Sequence, residues 1–414
     1  MTQPAGAMPL DQQDERLIRT VGLRGTISSF AGRVRGGDVG SLPVVVGLVV
    51  IFAIFQALNS AFLSATNLVD LAADSVAVGV ISVGIVLVLL VAQIDLSVGS
   101  MSGVASSILG IGLVVHGWSV WTAMGIALAT GLLVGFIFGY VFVWFNVPTF
   151  VTTLAGLLAL LGLQLKLLGT NGSINIPFDS FIVRFTQQMY VPRPVAYVLA
   201  AAVAVAYFAA TQARARRRRA NDLSTPPLIG AIAKSIAILI GLEFICWYLN
   251  KDRGIPAPFV MFIVIVVVMN YLLTRTVWGR SIFAVGGSVE AARRAGLKVN
   301  RVYVSVFVLC SLFAALGGLL SAGRLASASI SSGVGDTNLD AIAAAVIGGT
   351  SLFGGRGSSY SALFGIVVIQ SIASGLTLLN LDSSVRYMIT GGVLMVAVIV
   401  DSLARRSRAA HGRA

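Results

Sequence analysis

Charge is what this chain has least of. Asp, Glu, Lys and Arg together make up 11% of its 414 residues, where a soluble domain carries roughly 25%. So few charges cannot cover a water-facing surface of this size, which excludes an ordinary soluble fold. Cysteine and histidine are also nearly absent: Cys246, Cys310, His116 and His411 are all there is. Two thiols inside apolar runs make neither a disulfide framework nor a metal cluster, and the histidines have no ligand spacing, so no metal site is expected. Missing too are the nucleotide-gripping GxxxxGKS/T, the HExxH zinc motif and the GxSxG nucleophile elbow. The glycine-rich IGGTSLFGGRGSS at 347–359 lacks the Lys-Ser/Thr ending that holds phosphates. The chain is therefore expected to be no enzyme, to hydrolyse no ATP itself and to bind no cofactor of its own.

What is present in quantity is hydrophobic residues, 57%, and 45 glycines. Small residues favour close helix packing in membranes, so the class is an integral membrane protein. The formal net charge of +13 sits in a few hydrophilic segments. RARRRR (214–219) and ARRSRAAHGR (404–413) carry no interleaved aromatics, so a role in orientation is expected and nucleic-acid binding is not. Residues 1–40 are polar and charged, which predicts no cleavable signal peptide and makes the first apolar span a retained anchor.

A hydrocarbon core takes about 20 helical residues to cross. Runs of that kind fall at 42–62, 69–92, 97–115, 120–145, 148–168, 192–210, 228–249, 257–273, 302–322, 339–354, 359–378 and 384–403. The expected fold is all-α and polytopic, with about twelve spans: ten core helices plus an added hairpin at 228–273. The segment 339–355 is short enough to be broken or re-entrant. An even number of spans separates each basic segment (the N-terminal arm, 214–219, 275–301 and the tail) from the next. All four can therefore lie in the cytoplasm, with both termini. This divides the chain into a cytoplasmic arm 1–41, a transmembrane domain 42–403 and a basic tail 404–414. In the arm, Leu23, Ile27, Phe30 and Val34 recur at helical spacing, as they would in a helix lying on the lipid surface.

Asn67-Leu68 and Asn338-Leu339 each precede a span running in the same direction, a weak sign of paired halves. Asp95, in VAQIDLSVGS (91–100), stands beside an apolar run. A carboxylate there suits a helix cap through the amides of Ser97 and Val98 better than contact with a solute. Asp74 and Lys166 fall near the outer ends of their spans, where side chains snorkel. Between 274 and 302 lies a polar stretch in which Gly286-Gly287 allow a turn and Ser288 suits an N-cap. Val289–Ala295 then reads as a short exposed helix that Gly296 ends, with Glu290 and Arg294 spaced to support it. A capped, exposed helix between spans is what docking of a cytoplasmic partner requires.

Three stretches carry a resemblance. Gly279 to Gly287 (GRSIFAVGG) with Glu290, Ala291, Ala292, Arg293 and Gly296, then Ile94 to Ser100 (IDLSVGS), then Ala341 to Gly357 (AIAAAVIGGTSLFGGRG) are together similar to the permeases of ribose/xylose-type monosaccharide ABC transporters. The resemblance spans about residues 42–403. It implies the membrane channel of a bacterial importer in the inner membrane, surrounded by lipid and working as a homodimer. An extracytoplasmic sugar-binding protein would deliver the solute, and a partner ATPase holding ATP and Mg would drive transport. On that reading Gly279, Arg280, Gly286, Gly287, Glu290, Ala291, Ala292, Arg293 and Gly296 receive the ATPase. Gln93, Asp95, Asn171 and Asn175 are the candidates for the translocation pathway. Ala92-Gln93 stand where Gly-Gly is usual, and Ser288 replaces a common Asn. The added hairpin resembles the xylose-type branch, so a pentose such as D-xylose is the expected substrate. The alternative is an ion-coupled secondary sugar transporter, which needs titratable groups at mid-depth that the core spans hardly supply.

Overall fold

The chain is described here from a computed structural model, covering residues 42–382 except Pro226, together with part of 384–402. The N-terminal arm with its Leu23–Val34 pattern and the tail 404–414 lie outside the described residues. Two compact units emerge, residues 191–255 and the rest of the described chain.

In the larger unit, α1 (Leu42–Leu58), α2 (Ala65–Leu90), α3 (Val98–Val114), α4 (Val120–Phe145) and α5 (Thr149–Leu168) follow one another. The smaller unit is the antiparallel pair α6 (Arg193–Arg219) and α7 (Leu228–Leu249). Then come α8 (Ala257–Arg275), α9 (Val277–Gly287), α10 (Val289–Arg294), α11 (Val299–Leu325), α12 (Asp336–Ile347) and α13 (Tyr360–Leu378). Eight of these helices are long and apolar enough to cross a membrane. The only described sheet is a short antiparallel pair, β1 (Ser173–Asn175) with β2 (Ser327–Ser329). The protein is an all-α polytopic membrane protein.

Beyond Asp74, helix α2 is apolar or small-residued on every side and almost wholly buried, the signature of a central helix. Its neighbour α11 is the hub and packs against α2, α3 and α4. Between α4 and α11 the contact runs along Gly131, Gly135 and Gly139, one residue per turn. Side chains there would collide with the α11 backbone at Ser311, Phe307 and Val304. In lipid, where apolar burial drives little, such close van der Waals approach is what holds helices together.

The added hairpin needs a boundary correction. The expected pair was 228–273, but the structure pairs α6 with α7, and α8 belongs to the core. The reason is visible in α8, where Phe262, Val266, Met269 and Leu273 form one buried stripe and the Phe262 ring fills the space above Gly79 of α2. Helix α6 instead buries only small residues, Ala196, Ala200, Ala204 and Ala215. It also continues through 214–219, so the arginine run is helical, with Arg216 to Arg219 in its last turn, where cations complement the helix dipole. The chain leaves and rejoins the larger unit at a Tyr190–Pro256 bridge.

The end of the larger unit bearing Arg275, Arg280, Arg293, Arg294, Lys298 and Arg301 is here termed the basic end, the opposite one the far end. Helix α12 has 12 residues, a rise of about 18 Å, against about 30 Å of hydrocarbon. Beyond it, the Gly355 amide donates to the Leu90 carbonyl (2.9 Å) at the basic end of α2. Helix α12 therefore begins near mid-depth, and non-helical chain from the far end leads into it. This crossing is broken, not re-entrant. Helix α3 also begins inside the bundle, because the Leu96 amide donates to the Thr153 hydroxyl (3.2 Å), one turn into α5.

Candidate functional site

At the basic end the loop between α8 and α11 is built from local chemistry. The Thr276 hydroxyl accepts from the Gly279 amide (3.1 Å) and starts α9, while Gly279 lies against the Leu272 and Leu273 carbonyls. Ile282 and Val285 are buried, and Arg280 is exposed. Ser288 caps α10 by accepting from the Ala291 amide (3.3 Å). Gly296, at φ +77, ends it with the Leu297 amide on the Ala292 carbonyl and the Gly296 amide on the Arg293 carbonyl. These two bonds are a Schellman motif. Ala292 is buried, and Glu290, Ala291, Arg293, Arg294 and Gly296 are exposed. The ion pair that forms is Glu290–Arg293, 3.8 Å, in place of the Glu290–Arg294 spacing expected. Both side chains are exposed, so it adds little stability.

Gly286 and Gly287 were expected to form a turn. The structure places both inside the last turn of α9, and the chain turns only at extended Ser288. Gly286 is small for another reason: a Cβ there would run into the Leu90 carbonyl and the Gly355 amide. Gly354 in turn lies against Ala92 and the Gly286 carbonyl. Stretches 279–296, 90–100 and 341–357, far apart in the chain, thus meet in backbone contact at one point.

From that junction the segment 91–97 climbs back into the bundle. Ala92 adopts a left-handed φ of +57, a conformation that costs a residue with a side chain. The Gln93 carboxamide oxygen accepts from the Thr149 hydroxyl (2.8 Å). Asp95 is fully buried, and its Oδ1 accepts from the Ser97 amide (2.8 Å) and the Ser97 hydroxyl (2.6 Å). It shapes the turn before α3, and the expected bond from Val98 is not formed: the N-cap residue of α3 is Ser97. The Cys310 thiol stands beside the carboxylate.

Asn338 ties this turn to the start of α12. Its side-chain amide donates to the Leu96 carbonyl (2.8 Å), and its oxygen accepts from the Gly99 amide (2.5 Å). Gly333 packs on Gly99 and Gly103. The Gln164 amide donates to the Ser329 and Ser332 carbonyls, 2.9 Å each, pinning the serine-rich chain 327–335 against α3 and α5.

The four pathway candidates do not form one cluster. Gln93 and Asp95 lie together near the basic end. Asn171 sits in the 3-10 turn after α5, and Asn175 is exposed in β1 opposite Ser327, both at the far end. Two features went unread in the sequence. Asn338 was noticed only as half of a repeat echo. Asp74, read as snorkelling, is paired instead: Arg324 at the far end of α11 bonds Asp74 (2.8 Å) and Asp70 (3.4 Å) of α2. Arg324 and Asp74 border a cavity of about 170 Å³ reaching Thr186 and Pro258.

Comparison with known proteins fits this geometry. Residues 67–398 match the family model described as branched-chain amino acid transport system / permease component. The chain is 35% identical over 349 residues to the xylose transport system permease protein XylH of Escherichia coli K12, covering 84% of this chain and 88% of that one. It is 31% identical to XylH of Haemophilus influenzae, covering 87% and 95%. Identity to the ribose import permease protein RbsC of Escherichia coli K12 is 30%, covering 86% and 92%. No solved structure matches the chain. With the family match running from residue 67 to 398, the chain belongs to the family of branched-chain amino acid transport system / permease components.

Proposed function

We propose that this protein is the membrane-spanning permease subunit of an ABC importer for a monosaccharide, a pentose such as D-xylose first. The observation that carries the reading is the junction of Gly286, Leu90 and Gly355. An exposed, capped helix, α10, stands beside it. A cytoplasmic ATPase, with its ATP and Mg, docks on the exposed face around Glu290 and Arg293. Because Gly286 touches Leu90 and Gly355 through backbone, a push on α9 and α10 reaches the end of α2 and the loop that joins α12 to α13 with no soft side chain between. The basic end faces the cytoplasm of the bacterial inner membrane, following its arginines. An extracytoplasmic binding protein delivers the sugar to the far end, where Asn171 and Asn175 stand, and two copies of the chain form the full channel. Gln93 and Asp95 border the path at the basic end, Asp95 as scaffold.

The test is uptake into proteoliposomes holding the permease, the ATPase and the binding protein. ATP-dependent D-xylose uptake that ignores ionophores is the expected outcome. Uptake without ATP that collapses with an ionophore would establish the ion-coupled alternative. Reversing charge at Glu290 and Arg293 together is expected to lose ATPase co-purification from a normally inserted permease.

A further inference from the structure

Two stretches of non-helical chain lie inside the membrane-crossing bundle. One is 91–97, between α2 and α3; the other is 330–335, leading into α12. The first climbs from the basic end to Leu96, and the second comes in from the far end to meet it at Asn338. Leu96 is fixed one turn into α5 by Thr153, and Gly333 packs on α3 at Gly99 and Gly103. Asn338 joins the two by bonding Leu96 and Gly99. Positive φ at Gly333 (+73) and Gly335 (+75) holds the second stretch out of a helix.

These stretches are not wrapped in protein. Ala92, Ile94, Ser331, Val334 and Gly335 are exposed, and Asp336 to Asn338 are half-buried. Non-helical backbone at membrane depth is tolerated only where protein buries it or where it lines a water-filled cavity, because lipid leaves its N–H and C=O groups unpaired. The lipid-facing surfaces of α4 and α5 differ in kind, with Leu132, Leu133, Phe136 and Leu158 exposed on unbroken helix. The exposed residues of 330–335 are Ile330, Ser331, Val334 and Gly335, with Thr337 half-buried, so hydroxyl and non-helical backbone groups share this face with two apolar side chains.

We propose that segments 91–97 and 330–338 line the water-filled route through the membrane, with Asn338 as the positioning residue that holds the two together. The chemistry suits a small neutral polyhydroxylated solute, which exchanges hydrogen bonds with hydroxyls and backbone groups and needs no fixed countercharge. The identity of the solute rests on the permease reading above; the existence of the route does not.

The experiment is thiol labelling of the full-length chain in membrane vesicles of both orientations, with a charged, membrane-impermeant methanethiosulfonate. The native Cys246 and Cys310 are buried, so the unsubstituted chain sets the baseline. Ser331→Cys, Val334→Cys and Thr337→Cys are compared with Leu158→Cys, halfway along exposed α5. A thiol in hydrocarbon stays protonated and unreactive, so the route predicts labelling about tenfold or more faster at 331 and 334 than at 158. Rates at 331, 334 and 337 equal to that at 158 overturn the proposal, whether lipid or a dry contact with a second copy covers the face. D-xylose with the partner ATPase present is expected to slow labelling at 334 and 337. Fast labelling that no monosaccharide slows keeps the route and removes the sugar reading.

Discussion

The two ends of α2 are held by different physics. At the basic end the contact is backbone on backbone, Gly286 against Leu90 and Gly355, with no room for a Cβ. At the far end it is an ion-pair cluster, Arg324 with Asp70 and Asp74, whose side chains keep 26%, 40% and 42% of their exposure. Close-packed backbone transmits displacement with little give. A half-exposed ion pair is worth about 0–1 kcal/mol and yields to salt. On the proposed reading, the basic end is the one that would transmit a push from a partner, and the ion pairs at the far end are the contacts that can part.

The largest expected effect comes from breaking the backbone contact. Gly286→Leu drives atoms into the Leu90 carbonyl, and overpacking of this kind costs about 1–3 kcal/mol. Thermal unfolding in detergent should fall by several degrees, whereas Gly287→Leu, whose added atoms meet open space, should leave it unchanged. Equal melting of the two variants would erase the distinction between the ends. Next in size is Asn338→Ala, which leaves the Leu96 carbonyl and Gly99 amide without their bonds at a cost of about 1–3 kcal/mol. Denaturation and hydrogen exchange at 96–99 read that loss.

Arg324→Ala should cost under about 1 kcal/mol, and a double-mutant cycle with Asp74→Ala should shrink as salt rises. A coupling as large as that at Asn338 would make the far end a rigid joint as well. Smallest of all is Asp95→Asn, whose remaining oxygen can still accept from Ser97. Insertion and uptake are expected to stay near normal, and lost uptake in a well-inserted protein would turn Asp95 from scaffold into a contact for the solute.

Much of this was legible because it is local. Low charge and apolar runs gave the membrane class, and Ser288 and Gly296 marked both ends of α10. Other features are not local, and hydropathy is blind to them. It reports that α6, α7 and α8 are each apolar, not which packs on the core; the stripe Phe262, Val266, Met269, Leu273 held that information in its spacing. Asn338 reaches carbonyl and amide groups more than two hundred residues earlier, which no window sees. Gly286 reads as a turn residue by propensity, and only its neighbours Leu90 and Gly355 reveal a packing role.

The transmission claim is tested most directly by Gly286→Ala, assembled with the ATPase and binding protein in proteoliposomes, with sugar uptake and ATP hydrolysis measured together. The expected result is an ATPase that remains bound and hydrolyses ATP while uptake per ATP falls severalfold, with Gly287→Ala unchanged. Uptake per ATP equal in both variants and the unsubstituted permease would contradict it.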